Sequence, residues 1–536
     1  MALSAASAHN ISKSFSVSVL VFALLFGAAA LWGTDKRILG LFHDDGIYAV
    51  VGKALAQGDG YRIASLPGAP AQTKYPFSYS FLLFPLWLLD PAFPHNIALL
   101  KGLNIVILAA IFVVAAIYYR RYADGSTGAA LWFAVLVCAN PIIFGFTDYV
   151  LSDLWLVLLT LCALTLCGGA EADRGRISRL LLLSALIGLA CLSRAAALPL
   201  VIAGAVHGFA TRGWRGGGIF LSAVLLFVAP WLTWLWSHSQ PPTDSLFAYY
   251  TAYDATAIPH QHWSIVQGNA YYLADMLRLI YLTPLLPGVG YLLAFFSLVG
   301  VLALARRENL FAWVYLLTSI ALLLLWPFHP GRYLAPLVPL ILLFLFRGMA
   351  LARSWLDGAL SHVALWQWLS RVAWSPVLII LLLDGVWLSG YLLIRDERTT
   401  RGLYGRRLPY SWTGFEESFA WVRAHTEPDA LLATAYDPMY YLYTGRRSIR
   451  PALHRPASYF YPYGSTQPDV GSVQEIKPQL VKLGIGYLII DPMDGYAEGK
   501  ATVKLFDELV RSFGNQAEKV FTSTDGMHRI YRLAAE

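Results

Sequence analysis

The chain reads as a polytopic α-helical membrane protein that ends in a small extracytoplasmic α/β domain, and three observations predict this. Hydrophobic residues make up 57% of the 536 residues and charged ones only 14%, whereas a water-soluble protein carries about 25% charged residues because its surface faces water. Apolar runs of roughly 17–25 residues, enough to cross about 30 Å of hydrocarbon, recur through the first three quarters of the chain. From about residue 395 the composition turns soluble, with short strand-like and helix-like segments in alternation. The net charge of +7 therefore bears on membrane orientation, and no basic patch points to nucleic acid. Cys138, Cys162, Cys167 and Cys191 all fall inside apolar spans. They read as buried thiols, with neither zinc spacing nor a disulfide framework.

Phe15 to Trp32 is the first span. Ala28-Ala29-Ala30 looks like a signal-peptide cleavage site, but the apolar run exceeds the usual ~7–15 residues of a signal core. It is taken as an anchor with a cytoplasmic N-terminus. Residues 33–98 then form an outer loop with its own structure. In it Ile47, Val50, Val51, Ala54 and Leu55 repeat at i, i+3, i+4, i+7 and i+8, one face of a helix lying on the membrane, with Gly58 and Gly60 as stop signals. A second such segment follows Lys74-Tyr75-Pro76 and runs from Phe81 to Leu89. Spans at roughly 99–118, 128–146 and 150–168 come next.

Residues 180–211 would make a single helix about 48 Å long at about 1.5 Å per residue, which overshoots the bilayer. Arg194 and Pro199 interrupt the stretch, so two short helices meeting at the outer face are expected. That hairpin also puts Arg120/Arg121, Arg174/Arg176/Arg179, Arg212/Arg215, Arg306/Arg307 and Arg347/Arg353 on the cytoplasmic side. Further spans at about 217–237, 286–304, 309–327, 331–347 and 374–394 bring the expectation to about 11. An outer loop rich in Tyr and Trp occupies 238–285, and an inner interfacial helix is expected near 352–373. The membrane domain is thus 1–394 and the soluble domain 395–536. In the latter, Ala430–Ala435, Ile485–Ile490 and Ala517–Leu533 read as strands, and Phe415–His425, Val473–Leu483 and Val503–Phe513 as helices. It has no recognisable nucleotide loop.

Under this topology the outer face collects Asp44, Asp45, Lys74, Asp148, Asp153, Arg194 and Arg332. Each has a bland reading. The acidic pair suits a solvated turn, Asp45 the first turn of a helix, and Asp148 a loop. Lys74 and Arg332 suit headgroup contact, and Arg194 structural pairing at the hairpin tip. Ionisable groups beside spans are costly, however, and are usually paired or functional. A sugar on a lipid phosphate already carries a good leaving group. Its transfer needs a carboxylate to orient or deprotonate the acceptor hydroxyl and cations to stabilise the departing phosphate. If Asp44 caps the helix starting near Asp45, the dipole keeps it ionised. With a reference pKa near about 4 it would act by orientation and late proton transfer.

Asp44-Asp45-Gly46-Ile47-Tyr48, Gly58-Asp59-Gly60-Tyr61 and Lys74-Tyr75-Pro76 resemble the first outer loop of the GT-C glycosyltransferases. They are similar to bacterial members related to the protein O-mannosyltransferases and the lipid A aminoarabinose transferase. Ser152-Asp153 resembles the second acidic motif, Leu192-Ser193-Arg194 the element after it, and Arg332-Tyr333-Leu334 with Pro336 and Pro339 a late-span segment. The second acid is Asp where relatives have Glu, and a single Pro follows Tyr75. The resemblance implies a polyprenyl-phosphate sugar donor, Asp44 as the acceptor-side carboxylate aided by Asp45 or Asp153, and Lys74 and Arg332 as phosphate ligands. Tyr75, Tyr333, Arg194 and Asp148 join the expected substrate-binding set. The expected partners are that donor, a lipid, glycan or protein acceptor, and membrane lipids. No cofactor is assigned. His43 beside the acidic pair leaves a divalent metal open, though lone His–Asp neighbours seldom bind one. The expected location is a bacterial inner membrane. Two rivals are a transporter or flippase for a lipid-linked substrate, which predicts inverted repeats and mid-membrane polar residues, and a non-catalytic assembly protein. Tyr459, Phe460, Tyr461 and Tyr463 read as ordinary packing, with sugar stacking as the alternative.

Overall fold

The computed structural model describes residues 13–123, 127–167, 177–239, 245–251, 262–281, 287–303, 310–326, 330–360, 412–453, 470–493 and 497–534. The expected span at 374–394 and the aromatic group at Tyr459–Tyr463 lie outside the described residues.

Helix α1 (Lys13–Gly33) leads into α2 (Asp44–Gln57) and α3 (Ser78–Leu89), followed by α4 (Ile97–Ala123), α5 (Thr127–Cys138), α6 (Pro141–Phe144) and α7 (Asp153–Cys167). Next are α8 (Ile177–Cys191), α9 (Leu198–His238), α10 (Ser245–Thr251), α11 (His262–Ile280), α12 (Pro287–Ala303), α13 (Leu310–Leu325) and α14 (Val338–Ala359). Among the described residues, α1, α4, α9 and the stretch from Pro330 through α14 are long and apolar enough to cross a membrane; α5 with Pro141–Asp148, bent by 56°, forms a broken fifth. Apolar α3, α7, α8, α12 and α13 are shorter. The protein is integral to a membrane.

Two breaks shape the bundle. Between Cys191 and Leu198 the chain leaves the helix through Ser193 and Arg194, with Arg194 extended at φ −157°, ψ 147°, so 180–211 is divided as its length demands. At Gly213 (φ 61°) the 41-residue α9 reverses, and Gly208 then faces Gly216 while Gly204 faces Phe220. The late part differs from expectation. Pro330–Leu337 is a 3-10 turn and α14 continues unbroken to Ala359, past the expected stop at 347. No proline interrupts 340–359, and Arg353 and Asp357, one turn apart and 3.6 Å from each other, support its C-terminal end.

The segment after Trp412 carries a five-stranded mixed sheet in the order β2-β1-β3-β5-β4, made of β1 (Leu432–Ala433), β2 (Ser448–Ile449), β3 (Tyr487–Ile490), β4 (Ala517–Thr522) and β5 (Arg529–Leu533). β1 runs parallel to β2 and β3, and β5 antiparallel to β3 and β4. Ala517–Leu533, expected as one strand, is a hairpin. Asp525 and Gly526 (φ 73°) turn the chain, as Asp-Gly pairs do, and Ser523 N bonds His528 O at 2.9 Å. Buried Asp491 ties the layers together through His528 Nδ1 at 2.9 Å, the Tyr440 hydroxyl at 2.8 Å and the Thr434 hydroxyl at 3.0 Å.

Candidate functional site

The acidic pair opens α2, but not as a cap. His43 is the N-cap, at φ 60°, and Asp44 is the first helical residue, so its carboxylate is spent on tertiary partners. Nor does α2 simply lie on the membrane. It is buried on nearly every side because Gly46 and Gly52 let neighbours close in: a Cβ at Gly46 would sit 2.8 Å from Pro438, and one at Gly52 would sit 3.0 Å from Leu83. Gly58 (φ 82°) ends the helix, the left-handed C-cap that glycine favours.

Four distant segments converge on Asp44. The Tyr75 hydroxyl donates to Oδ1 at 2.7 Å, and Arg332 Nη1 donates to Oδ2 at 2.8 Å. Arg332 also gives Nη2 to Asp153 Oδ2 at 2.8 Å, and Arg194 Nη1 meets the same oxygen at 2.8 Å. Arg194 lies 5.1 Å from the centre of the Tyr333 ring and reaches its hydroxyl at 3.4 Å. Asp44, Tyr75, Asp153, Arg194, Arg332 and Tyr333, spread over 290 residues of chain, thus form one continuous hydrogen-bonded cluster. The Phe42 ring covers the Arg332 guanidinium at 4.8 Å.

The charges set the protonation states. Burial alone would raise Asp44. The Arg332 and Lys74 charges, with hydrogen bonds from Arg332 and Tyr75, outweigh it and hold the carboxyl well below the usual carboxylate range. Asp45 goes the other way: burial pushes it up to about 6, against the Lys101 charge and the backbone N–H groups of Gly40 and Gly46. Lys74 is pushed down by burial to about 8, opposed by Asp44 and aided by the Arg450 charge. The two adjacent acids therefore differ in environment, Asp44 held as a paired anion and Asp45 taking a proton at a higher pH than an ordinary carboxylate.

Asp148 stands apart from this cluster. It accepts from Lys101 Nζ at 3.0 Å and from the backbone N–H of Asp35 at 2.9 Å, tying the outer turn to α4. Sequence reasoning missed Lys101, a lysine 2% exposed whose lone charge in an apolar run was a readable signal. It also missed three supports. The Gln72 side-chain oxygen accepts from the N–H groups of Lys74 and Tyr75 at 2.8 and 3.2 Å. The Tyr48 hydroxyl bonds Ser152 Oγ at 2.9 Å, and Asn104 Nδ2 donates to Tyr149 O at 2.7 Å. Nothing in their local sequence announced these pairings. Among the described residues no three His, Cys, Asp or Glu side chains are grouped to hold a metal ion.

No family model and no curated protein matches the chain. Solved structures do. ArnT from Cupriavidus metallidurans bound to undecaprenyl phosphate aligns at TM-score 0.61 and 14% identity, covering 97% of this chain and 98% of that one. The oligosaccharyltransferase of Archaeoglobus fulgidus tethered to an acceptor peptide aligns at TM-score 0.51 and 14% identity, over 98% of this chain and 74% of that one. The AglB oligosaccharyltransferase from the same organism, with an inhibitory peptide and a dolichol-phosphate, aligns at TM-score 0.50 and 12% identity, over 98% and 75%. At these identities the likeness is one of fold, and the fold is that of the GT-C membrane glycosyltransferases.

Proposed function

We propose that the protein is a membrane glycosyltransferase that moves a sugar from a polyprenyl-phosphate donor to an acceptor hydroxyl at the outer face of a bacterial inner membrane. The observation that carries the reading is the cluster itself: an ionised Asp44 held by Arg332 and Tyr75 beside Lys74, in a fold shared with structures solved with undecaprenyl phosphate and with a dolichol-phosphate. Lys74 and Arg332 take the donor phosphate. Arg332 arrives there bound to Asp44 and Asp153, so a phosphate that draws Arg332 away removes the cation that most depresses Asp44. Donor binding then raises the basicity of the carboxylate as the acceptor enters. The acceptor oxygen attacks the anomeric carbon on the face opposite the phosphate. The carbon–phosphate-oxygen bond breaks, the leaving phosphate keeps the electron pair, and the hydroxyl proton passes to Asp44, inverting the centre. Asp153 holds Arg332 and is itself held by Arg194, and Tyr333 packs on Arg194. The 412–534 segment lies on the same outer face and contributes to acceptor choice.

The test is direct. Purified full-length protein in lipid nanodiscs is incubated with a panel of polyprenyl-phosphate sugars, and released polyprenyl phosphate is measured with and without candidate acceptors. At least one sugar is turned over, and Asp44→Asn lowers the rate by about 10²–10⁴-fold. A folded Asp44→Asn protein that transfers sugar at the wild-type rate removes the carboxylate from the mechanism.

A further inference from the structure

The turn that delivers Asp44 is gripped by the C-terminal part of the chain. His43 Nε2 lies 2.8 Å from Asp437 Oδ1, with the two side chains 10% and 0% exposed. Asp437 opens the helix Asp437–Thr444, and the two residues after it pack into the same turn. A Cβ at Gly40 would sit 2.8 Å from Met439, and one at Gly46 would sit 2.8 Å from Pro438. The Tyr443 hydroxyl takes the Leu39 N–H at 3.3 Å and bonds Arg37 O. His43 itself is held at φ 60°, a conformation that a non-glycine residue adopts only when its surroundings impose it. Burying a carboxylate costs several kcal/mol unless it is well compensated, and among the described residues Asp437 Oδ2 has no hydrogen-bond partner. Apolar packing alone would join the two parts without that cost.

We infer that His43 and Asp437 are positioning residues: their hydrogen bond fixes the N-cap of α2 and so aims the Asp44 carboxylate at Arg332 and Tyr75. The soluble segment is thus part of the machinery that sets the carboxylate, in addition to any role in acceptor choice. Its effect on turnover rests on the glycosyl-transfer reading, whereas its effect on the turn does not.

Asp437→Asn in the full chain keeps the shape and removes the charge. Two measurements separate the two claims: amide hydrogen exchange of peptides covering 38–48, and steady-state release of polyprenyl phosphate. Exchange over 38–48 accelerates about tenfold. The kcat falls about 10- to 100-fold, the cost of an ångström-scale misplacement, while KM for the donor stays within about twofold. The exchanged pair His43→Asp with Asp437→His, which rebuilds the bond in the opposite sense, restores part of both. Unchanged exchange at 38–48 overturns the inference, as does faster exchange with unchanged kcat. If Asp437→Asn unfolds the protein, failure of the exchanged pair to recover kcat overturns it as well. Faster exchange in a protein whose wild type transfers no sugar leaves the positioning intact and defeats the glycosyl-transfer reading instead.

Discussion

Asp44 and Asp45 are neighbours in sequence with opposite environments. Asp45 is the acid whose pKa rises on folding, to about 6. Between the ordinary carboxyl value and about 6 the folded protein therefore binds more protons at this site than the unfolded chain. Its contribution favours folding at low pH and is lost as pH rises through about 6. Asp45→Asn should flatten that part of the pH dependence of thermal unfolding between about pH 4 and pH 6, without lowering the midpoint at pH 7. Lys74 is displaced the other way, with its pKa pushed down to about 8. Wild-type kcat/KM for the donor, which reports the free enzyme, should fall above about pH 8 as the ammonium loses its proton. Lys74→Arg should shift that fall to higher pH, at a lower plateau because a guanidinium is a different donor shape. Arg332 joins two acids, one of them, Asp153, only 3% exposed. Arg332→Ala leaves Asp153 to Arg194 and Asp44 to Tyr75 and Lys74, and should destabilise the protein by about 1–3 kcal/mol, read as a lower thermal midpoint, whereas Asp44→Asn should leave the midpoint near that of the wild type. From the sequence these side chains are expected together on one face, and Asp44, Asp153, Arg194 and Arg332 do meet in one cluster. Their pairings were not legible in sequence, because a salt bridge across 288 residues leaves no local trace.

At the scale of elements, the helices were legible wherever apolar periodicity and breakers decide them, as in α1, α3 and the division of 180–211. Misreadings arose where packing overrides local signals. A free amphipathic stripe on the membrane was the expectation for α2, but two glycines let the helix bury the other face too. The two-residue β2 is too short for any periodicity; its pairing with β1, and Ser448 N with Ser65 O at 2.8 Å, define it. Helices α12 and α14 cross on glycine. A Cβ at Gly300 would lie 1.9 Å from Phe344 O, and one at Gly348 would lie 1.8 Å from Phe296 O, the close backbone approach that small residues permit between membrane helices. Gly300→Val or Gly348→Val should therefore abolish recovery of monodisperse protein in size-exclusion chromatography, while Gly288→Ala, with nothing within 4 Å, should leave it unchanged.

At the scale of the whole molecule, the arginine bias predicts that the reversal at Gly213 faces the cytoplasm and that the segment from Trp412 faces the opposite side. Single cysteines at Arg62 and Thr524, both exposed, should react with a membrane-impermeant maleimide in intact spheroplasts. A cysteine at Trp214, 86% exposed beside the reversal, should react only after the membrane is opened. Labelling of Thr524→Cys and Trp214→Cys from the same side would refute this orientation. Asp437 and His43 meet although 394 residues separate them, which puts the Asp437–Thr444 helix against the acidic turn whichever way the chain is oriented.

The sequence by itself determined the membrane class, the positions of the main breaks and the gathering of acidic and basic residues on one side. Each of these follows from local quantities, namely hydropathy, helix length against bilayer thickness, and the bias of arginine between loops. Only the tertiary structure decided which acid is ionised, which arginine holds which carboxylate, and that the C-terminal helix grips the turn at His43. Those outcomes depend on desolvation and on charges brought within about 3 Å, and distance in space is the one quantity that neighbouring residues in a chain do not encode.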